Sequence, residues 1–217
     1  MKVVSVNVGR PVDVTWRGAP VRTGIWKEAV SGRVAVRRHN LEGDGQADLT
    51  VHGGRDKAVY AYALGHYDYW RAALRLAELP YGAFGENLTL DDFSEDAVRI
   101  GDQYLAGTAR LLVTQPRLPC HKLGVRFGRA DMPDRFLASG RTGFYMAVLE
   151  EGTVEAGDDV RLLGREPAAV TIAEATRLYA GRDPDPALLR RALDVPALPE
   201  GWRARFRKRL EKADSRD

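Results

Sequence analysis

The chain has 217 residues, of which 44% are apolar and 29% charged, and its formal net charge is +3. This composition is typical of a folded globular protein and excludes a disordered chain, and the length fits one large domain with room for a small appendage. The slight excess of Arg and Lys suits an anionic small ligand or an acidic partner, and it does not predict nucleic-acid binding.

Cysteine usage and hydropathy predict the compartment. The sequence contains one cysteine, so no intramolecular disulfide can form, and this favours a reducing environment. No segment approaches the ~20 apolar residues of a membrane-spanning helix, and the first residues lack the pattern of a signal peptide. We therefore predict a cytoplasmic protein that does not bind a membrane.

The first two-thirds of the chain are predicted to be rich in β-strands. Short apolar runs alternate with polar residues, and Gly-Asp and Gly-Gly pairs mark turns between them. The predicted strands are Val3–Val8, Val12–Trp16, Arg33–Arg37, Ala58–Ala63, Ala109–Thr114, Gly143–Leu149 and Val160–Leu163. Many short strands with frequent turns favour a barrel or sandwich over a parallel doubly wound sheet. Two helices are expected among them, at His66–Leu79 and at Asp131–Ala138.

The pattern changes after Arg165, where strand-like alternation stops. Three helical stretches follow, and prolines separate them: Thr171–Tyr179, Asp185–Leu193 and Pro199–Lys212. The last has an apolar stripe of Trp202, Phe206 and Leu210 surrounded by Arg and Lys, which we interpret as a packed helix with a solvated face. Docking of an acidic reductase on this basic face is the alternative. The sequence thus predicts a β-rich domain at residues 1–165 and a helical extension at 166–217.

Several cofactor signatures are absent from the sequence. There is no GxxxxGK[ST] phosphate loop, no GxGxxG after a strand, no HExxH and no CxxC pair. The stretch GDGQADLTVHGGRDKAVYAY, residues 43–62, instead offers Gly53 and Gly54 beside polar and charged neighbours: His52, Arg55, Asp56 and Lys57. Such a pattern is typical of a backbone anion nest next to basic side chains, although a plain glycine turn between two strands would have the same letters.

The single cysteine, Cys120, lies in TQPRLPCHKLG, where two prolines precede it and three basic residues stand nearby. Arg117, His121 and Lys122 would favour the thiolate, which is the form that attacks or binds metals. A free cysteine can also be a small core residue. The basic, conformationally restricted surroundings favour a functional role.

A thiolate at position 120 would have two main uses. It could act as a nucleophile with His52 or His121 as the base. It could also be a soft ligand to a metal. The four histidines have no metal-like spacing, so any metal would arrive inside an organic cofactor. The residues alone leave these alternatives open.

Four stretches taken together resemble the MOSC domain family, named for the C-terminal domain of molybdenum cofactor sulfurase, and in particular its YiiM-type members. They are GDGQADLTVHGGRDKAVYAY, FGENLTL, TQPRLPCHKL and GRTGFYMAVLEEG. The resemblance covers roughly residues 1–165, and the tail resembles the three-helix extension of this subgroup. It implies a mainly β fold, with a β-barrel body that binds the molybdenum cofactor. Cys120, in the family's PC-x-KL motif, would then be the protein ligand to molybdenum.

The resemblance also implies a reaction. Related proteins reduce N-hydroxylated purines, amidoximes and hydroxylamines, with electrons from a separate flavoprotein or other redox partner. His52 is a candidate catalytic proton donor, and charge suggests further contacts to the pterin or its phosphate. By charge, these candidate cofactor-binding residues are Arg55, Lys57, Arg117, Lys122 and Arg141. Gly53 and Gly54 would let the backbone approach the cofactor closely, and Asp56 and Asn87 would orient the pterin.

Two other functions remain compatible with the sequence. A MOSC-type sulfur-carrier module would use Cys120 as a persulfide, and a Cys-His hydrolase or transferase would use it as a nucleophile. The chain also departs from the family pattern at His121, where an aromatic residue is usual, and at Phe144, where tryptophan is common. These departures leave the substrate open.

Overall fold

The computed structural model describes residues 1–48, 53–167, 169–181 and 185–215. The strands within these ranges are β1 (Val3–Val8), β2 (Val12–Trp16), β3 (Ala19–Thr23), β4 (Glu28–Val30), β5 (Val34–Arg37), β6 (Asn40–Leu41), β7 (Val59–Ala63), β8 (Leu88–Leu90), β9 (Gln103–Ala106), β10 (Ala109–Pro116), β11 (Phe144–Glu150), β12 (Gly152–Val154) and β13 (Val160–Gly164). All seven predicted strands are present. The strands that the prediction missed are short, with two to five residues, too few to show alternation clearly.

Eight strands form the main sheet, in the order β13-β9-β10-β11-β7-β8-β1-β4. Every neighbouring pair is antiparallel except β7 and β8. The order has two ends, and among the described residues a single isolated bridge, Lys2 with Asp159, joins the start of β1 to the start of β13. The β-rich body is confirmed, but the described residues form no closed barrel, because a single bridge stands where closure would need a full ladder.

Strand β7 separates two apolar clusters. Its side chains alternate between the faces of the sheet, as the two-residue period of a strand requires. Val59 and Ala61 pack into a large aliphatic core, and Tyr60 and Tyr62 pack into an aromatic cluster with Trp70 and its neighbours. The whole strand is buried. The aromatic side of β7 is the side on which the candidate site lies.

Three helices cover the aromatic cluster: α1 (Leu64–Leu74), α2 (His121–Phe127) and α3 (Met132–Ala138). The predicted C-terminal end of the first was wrong, because Arg75 adopts a left-handed conformation with φ of 56°. The amide of Leu76 then donates to the carbonyl of Arg71, which ends the helix in a Schellman motif. The sequence analysis missed α2, whose seven residues include a central glycine.

The three predicted C-terminal helices are confirmed within two residues at each end: α4 (Ile172–Ala180), α5 (Pro186–Asp194) and α6 (Glu200–Asp214). A capping box between Thr171 and Glu174 starts α4. These helices share one apolar core with the sheet, since Trp202 and Phe206 belong to the same cluster as Leu111. The division at residue 165 therefore remains a prediction. Within the described part of the chain, no helix is long and apolar enough to cross a bilayer.

Candidate functional site

A cavity opens beside Cys120, with about 600 Å³ of empty space when the solvent at its mouth is included. Five separate segments build its wall. They are residues 23–27, the 44–47 loop, a 3-10 turn at Arg55–Lys57 with the preceding Gly53, the 84–87 loop, and residues 117–122; Tyr60 of β7 and Tyr145 of β11 complete it. The fold therefore brings the cysteine stretch and the Gly-Gly stretch to one place.

Cys120 is the N-cap residue of α2, and its backbone carbonyl accepts the amide hydrogen of Leu123 at 3.0 Å. Its side chain is half-buried and lines the cavity together with Lys122. His121 is exposed and does not line the cavity. The sulfur is thus reachable from the cavity and is not a filler of the aliphatic core.

Arg117 is a buried cation in the cavity wall. Only 5% of the residue is exposed, and its guanidinium lies 5.0 Å from the ring centre of Phe136 and 5.7 Å from that of Tyr60. Among the described residues, no carboxylate pairs with it and its Nη1 has no hydrogen-bond partner. A buried cation that faces rings and a tyrosine instead of a carboxylate, with one vacant donor, favours an anionic guest in the cavity.

A second buried cation, Lys27, lies in the same wall but is paired. Its ammonium group donates to Asp44, whose carboxylate also accepts from the amide of Gly9 at 3.0 Å and from Nδ2 of Asn87 at 2.9 Å. Burial lowers the pKa of Lys27, and the carboxylate of Asp44 opposes this shift. The charge of Lys27 is therefore balanced by Asp44 within the fold.

Asn87 lines the cavity, but its amide is occupied by the protein. Besides Asp44, Nδ2 donates to the carbonyl of Asn7 at 3.3 Å, and Oδ1 accepts from the amide of Tyr60 at 3.0 Å. The preceding residue, Glu86, is fully buried and accepts from the amides of Gly82 and Phe84, at 2.9 and 3.1 Å. The FGENLTL stretch thus builds the wall of the cavity, because its polar side chains form hydrogen bonds within the protein.

The Gly53-Gly54 pair has the conformation that requires glycine. Both residues have positive φ, at 96° and 81°, a region that other residues rarely adopt. A Cβ on Gly53 would lie 3.2 Å from the side chain of Gln46, which also lines the cavity. Burial lowers the pKa of Lys57 nearby, and the carboxylate of Asp56 opposes this. Gly53 and Lys57 therefore present a close backbone and a partly desolvated amine to the cavity.

Two tyrosine hydroxyls in the wall remain protonated at neutral pH. Burial raises the pKa of Tyr60 well above its ordinary value and raises that of Tyr145, and in both cases Arg117 opposes the shift. The hydroxyl of Tyr60 donates to the carbonyl of Thr142 at 2.8 Å. The RTG stretch thus helps to hold an aromatic wall by its backbone.

The structure brings six of the predicted site residues together around the cavity: Gly53, Lys57, Asn87, Arg117, Cys120 and Lys122. Three others, Gly54, Arg55 and Asp56, belong to the same turn but do not line the cavity. Arg141 lies elsewhere, with its guanidinium 4.0 Å from the ring centre of Tyr69. His52 lies outside the described residues.

Sequence reasoning missed several cavity residues, chiefly Lys27, Asp44, Gln46, Tyr60 and Tyr145. Asp44 stands between two glycines and was interpreted as a turn. Lys27 belongs to no recognisable motif. Tyr60 and Tyr145 lie in two predicted strands, where every second residue faces the same side of the sheet. This alternation is the only sequence signal that they face the cavity.

Two family models match the chain. The MOSC domain model matches residues 48–161, and the YiiM-like 3-alpha helix domain model matches residues 170–213. The chain belongs to the MOSC domain family. The three-helix unit after β13 places it with the YiiM-like members.

Named relatives agree with this assignment. The chain is 40% identical to YflK of Bacillus subtilis (strain 168) over 97% of its own length and 95% of that protein, and 35% identical to YiiM of Escherichia coli (strain K12) over 86% and 84%. A protein named reductase from Gibberella moniliformis is 34% identical over 82% of this chain but only 32% of its own length. This MOSC protein is thus related to a reductase.

Solved structures show the same fold. The crystal structure of YiiM from Geobacillus stearothermophilus superposes with a TM-score of 0.81 at 38% identity, covering 96% of this chain and 98% of the other. YiiM from Escherichia coli gives a TM-score of 0.78 at 28% identity, with 98% and 94% covered.

The cavity offers one soft ligand, the Cys120 thiol. In the described ranges, no group of three or more His, Cys, Asp or Glu residues could hold a metal ion. A metal bound at Cys120 by this part of the chain would therefore need its remaining ligands from another molecule. A thiol, a buried arginine with a vacant donor and two further amines fit an anionic cofactor that carries its own metal ligands.

Proposed function

We propose that this protein is a molybdenum-cofactor oxidoreductase that reduces N-hydroxylated compounds with electrons from a separate reductase. The observation that carries the proposal is the pairing of two features in one cavity. These are the half-buried Cys120 thiol and the buried Arg117, whose Nη1 has no partner among the described residues. One feature suits a soft metal and the other suits an anion.

Cys120 would bind the metal, and Arg117, Lys57 and Lys122 would bind the phosphate or the pterin. When bound, the cofactor would supply a metal centre that accepts two electrons and passes them to the substrate. Gly53, without a side chain, leaves the backbone of its turn open to close approach by the anion. Gly54, Arg55 and Asp56 would act through the shape of this turn. Arg141 does not line the cavity and packs on Tyr69, so we assign it no part in this role.

The reaction removes an oxygen from nitrogen: the N–OH group gains two electrons and two protons, the N–O bond breaks, and an N–H group and water result. The protein must therefore supply protons and exclude bulk water. The protonated hydroxyl of Tyr145 would donate a hydrogen bond, and neither Tyr145 nor Tyr60, whose hydroxyl donates to Thr142, would add negative charge beside an anionic cofactor. His52 remains the proposed proton donor from the sequence.

A redox role is supported by the relative named reductase. The match covers only 32% of that protein, so the larger part of it lies outside the shared region. The family resemblance implies an electron source outside this chain, which agrees with the absence of a nicotinamide signature from the sequence. We propose that this electron source is a flavoprotein or another redox partner, and that the protein acts in the cytoplasm.

The test is the metal content and activity of the full chain made in a host that synthesises the cofactor. We expect about one molybdenum per chain, held through a single thiolate, and reduction of an N-hydroxylated purine base by an artificial electron donor. Cys120→Ser should lose both while its thermal unfolding matches that of the cofactor-free wild type. The matched control is His121→Ala, next in sequence but outside the cavity, which should keep both. Metal-free wild-type protein from such a host would contradict the proposal.

The accessible thiol also supports a second candidate, a sulfur carrier with a Cys120 persulfide. A half-buried sulfur beside Lys122 can be reached by a sulfur donor from the cavity mouth. Mass spectrometry distinguishes the two: a gain of one sulfur on Cys120 in metal-free, otherwise inactive protein would favour the carrier. The hydrolase alternative receives no support from His121, which is exposed and outside the cavity.

A further inference from the structure

The three-helix extension reaches the cavity wall through two buried side chains, Trp202 and Gln115. The indole Nε1 of Trp202, in the first turn of α6, donates to Oε1 of Gln115 near the end of β10. Nε2 of Gln115 donates in turn to the carbonyl of Asp56 at 3.3 Å. Asp56 is the middle residue of the 3-10 turn whose last residue, Lys57, lines the cavity.

The chemistry of the three groups allows only one arrangement. An indole N–H only donates and a backbone carbonyl only accepts, so the Gln115 amide must turn its oxygen to Trp202 and its nitrogen to Asp56. Gln115 is 4% exposed and Trp202 is 6% exposed, so water cannot readily replace either bond. The two hydrogen bonds therefore form a directed link from helix to turn.

An irregularity in β10 makes this link possible. Consecutive strand residues normally point to opposite faces. The register between β10 and β11 shifts between Val113 and Gln115, and both Thr114 and Gln115 then reach the carbonyl of Asp56. The bond from Oγ1 of Thr114 is 2.6 Å long. Two neighbouring residues of one strand thus hold the same point of the turn.

The turn has little rigidity of its own. Gly53 and Gly54 precede it, and glycine loses more conformational freedom on ordering than any other residue. Its internal hydrogen bond runs from the amide of Lys57 to the carbonyl of Gly54, at 3.1 Å. Contacts from outside the turn must therefore fix where Gly53 and Lys57 stand.

We propose that Gln115 and Trp202 are positioning residues, through which the helical extension sets the place of the 53–57 turn in the cavity wall. Neither residue lines the cavity, so any effect on the site passes through the turn. The consequence for cofactor binding rests on the proposed function; the positioning itself does not.

The test is hydrogen–deuterium exchange on the full, cofactor-free chain. Gln115→Met keeps the length of the side chain and removes both bonds, and Trp202→Phe keeps an aromatic ring and removes one. The matched control is Phe206→Leu, a buried residue one turn further along α6 that makes no bond to Gln115. We expect the amides of residues 53–57 to exchange about tenfold faster in Gln115→Met, the effect of one lost hydrogen bond. Trp202→Phe should show a smaller increase, and Phe206→Leu none.

Unchanged exchange of the turn in Gln115→Met would overturn the proposal, as would an equal increase in Phe206→Leu. If Trp202→Phe unfolds the extension, Gln115→Met decides alone, because it leaves α6 intact. A second measurement is molybdenum occupancy in a cofactor-producing host, which should fall in Gln115→Met and remain in Phe206→Leu. A wild type without molybdenum would remove this second readout and the proposed function, but the exchange result would stand.

Discussion

Two buried cations face the same cavity in opposite electrostatic situations. Lys27 is paired with Asp44, which the amides of Gly9 and Asn87 also hold. Arg117 is equally buried, yet it rests on the rings of Tyr60 and Phe136 and has no carboxylate partner in the described ranges. The first cation is neutralised within the fold, and the second keeps one donor without a partner among the described residues. The comparison predicts that stability and ligand binding can be separated by choosing which cation to remove.

The largest effect on stability is expected from Lys27→Met. It would leave the carboxylate of Asp44 buried without its cation, and breaking a buried pair in this way costs about 3–5 kcal/mol. Urea unfolding of the cofactor-free protein measures this loss. The double variant with Asp44→Asn removes the stranded charge and should recover part of it. A loss below about 1 kcal/mol in the single variant would show that the pair does not stabilise the fold.

Arg117→Met should have the opposite profile. Because an unpaired buried charge stabilises little, we expect the free energy of unfolding to stay within about 1 kcal/mol of the wild type. Binding of pyrophosphate, a probe for the cofactor's anionic part, should weaken about 10- to 100-fold, the loss of a charge-assisted hydrogen bond. The measurement is the rise in melting temperature with added pyrophosphate. Equal protection of the variant and the wild type would remove Arg117 from the anion site.

The smallest effect concerns pH and Lys57. Since burial lowers the pKa of this amine from 10.5, it loses its proton at a lower pH than an exposed lysine. As the pH rises, the pyrophosphate affinity of the wild type should therefore begin to fall before pH 10.5 is reached. Lys57→Met should lack this part of the decline. Titrations across the alkaline range compare the two slopes. Parallel slopes would mean that Lys57 does not contact the anion.

The sequence predicted the elements whose patterns are local. The alternation in β1 and β10 and the capping residues of α4 and α5 are visible within a few neighbouring residues, and the structure has these elements at nearly the expected bounds. The end of α1 was not predictable in the same way. Arg75 takes a left-handed conformation although it is not glycine, so the usual signal of a helix end was missing.

The candidate site also contains residues that a local pattern predicts and residues that it does not. Arg117, Cys120 and Lys122 stand within six residues of one another, so a motif could indicate them together. Lys27 and Asp44 belong to different segments: Lys27 directly precedes β4, which pairs with β1, and Asp44 is bonded to Gly9 just after β1. Arg141 shows the limit of reasoning from charge, because its guanidinium packs on Tyr69. The charge of a residue does not predict the direction in which its side chain points.

The common core of sheet and extension has a practical consequence. Helix α4 packs against β10, and apolar side chains of α4 and α6 share one cluster with Leu111 and Val113 of that strand. A polypeptide shortened after residue 165 would expose that apolar surface to water, and we expect it to aggregate instead of remaining a folded domain. Exchanging the three-helix extension between relatives should likewise destabilise the fold, unless the apolar residues of the sheet that pack against it are exchanged as well.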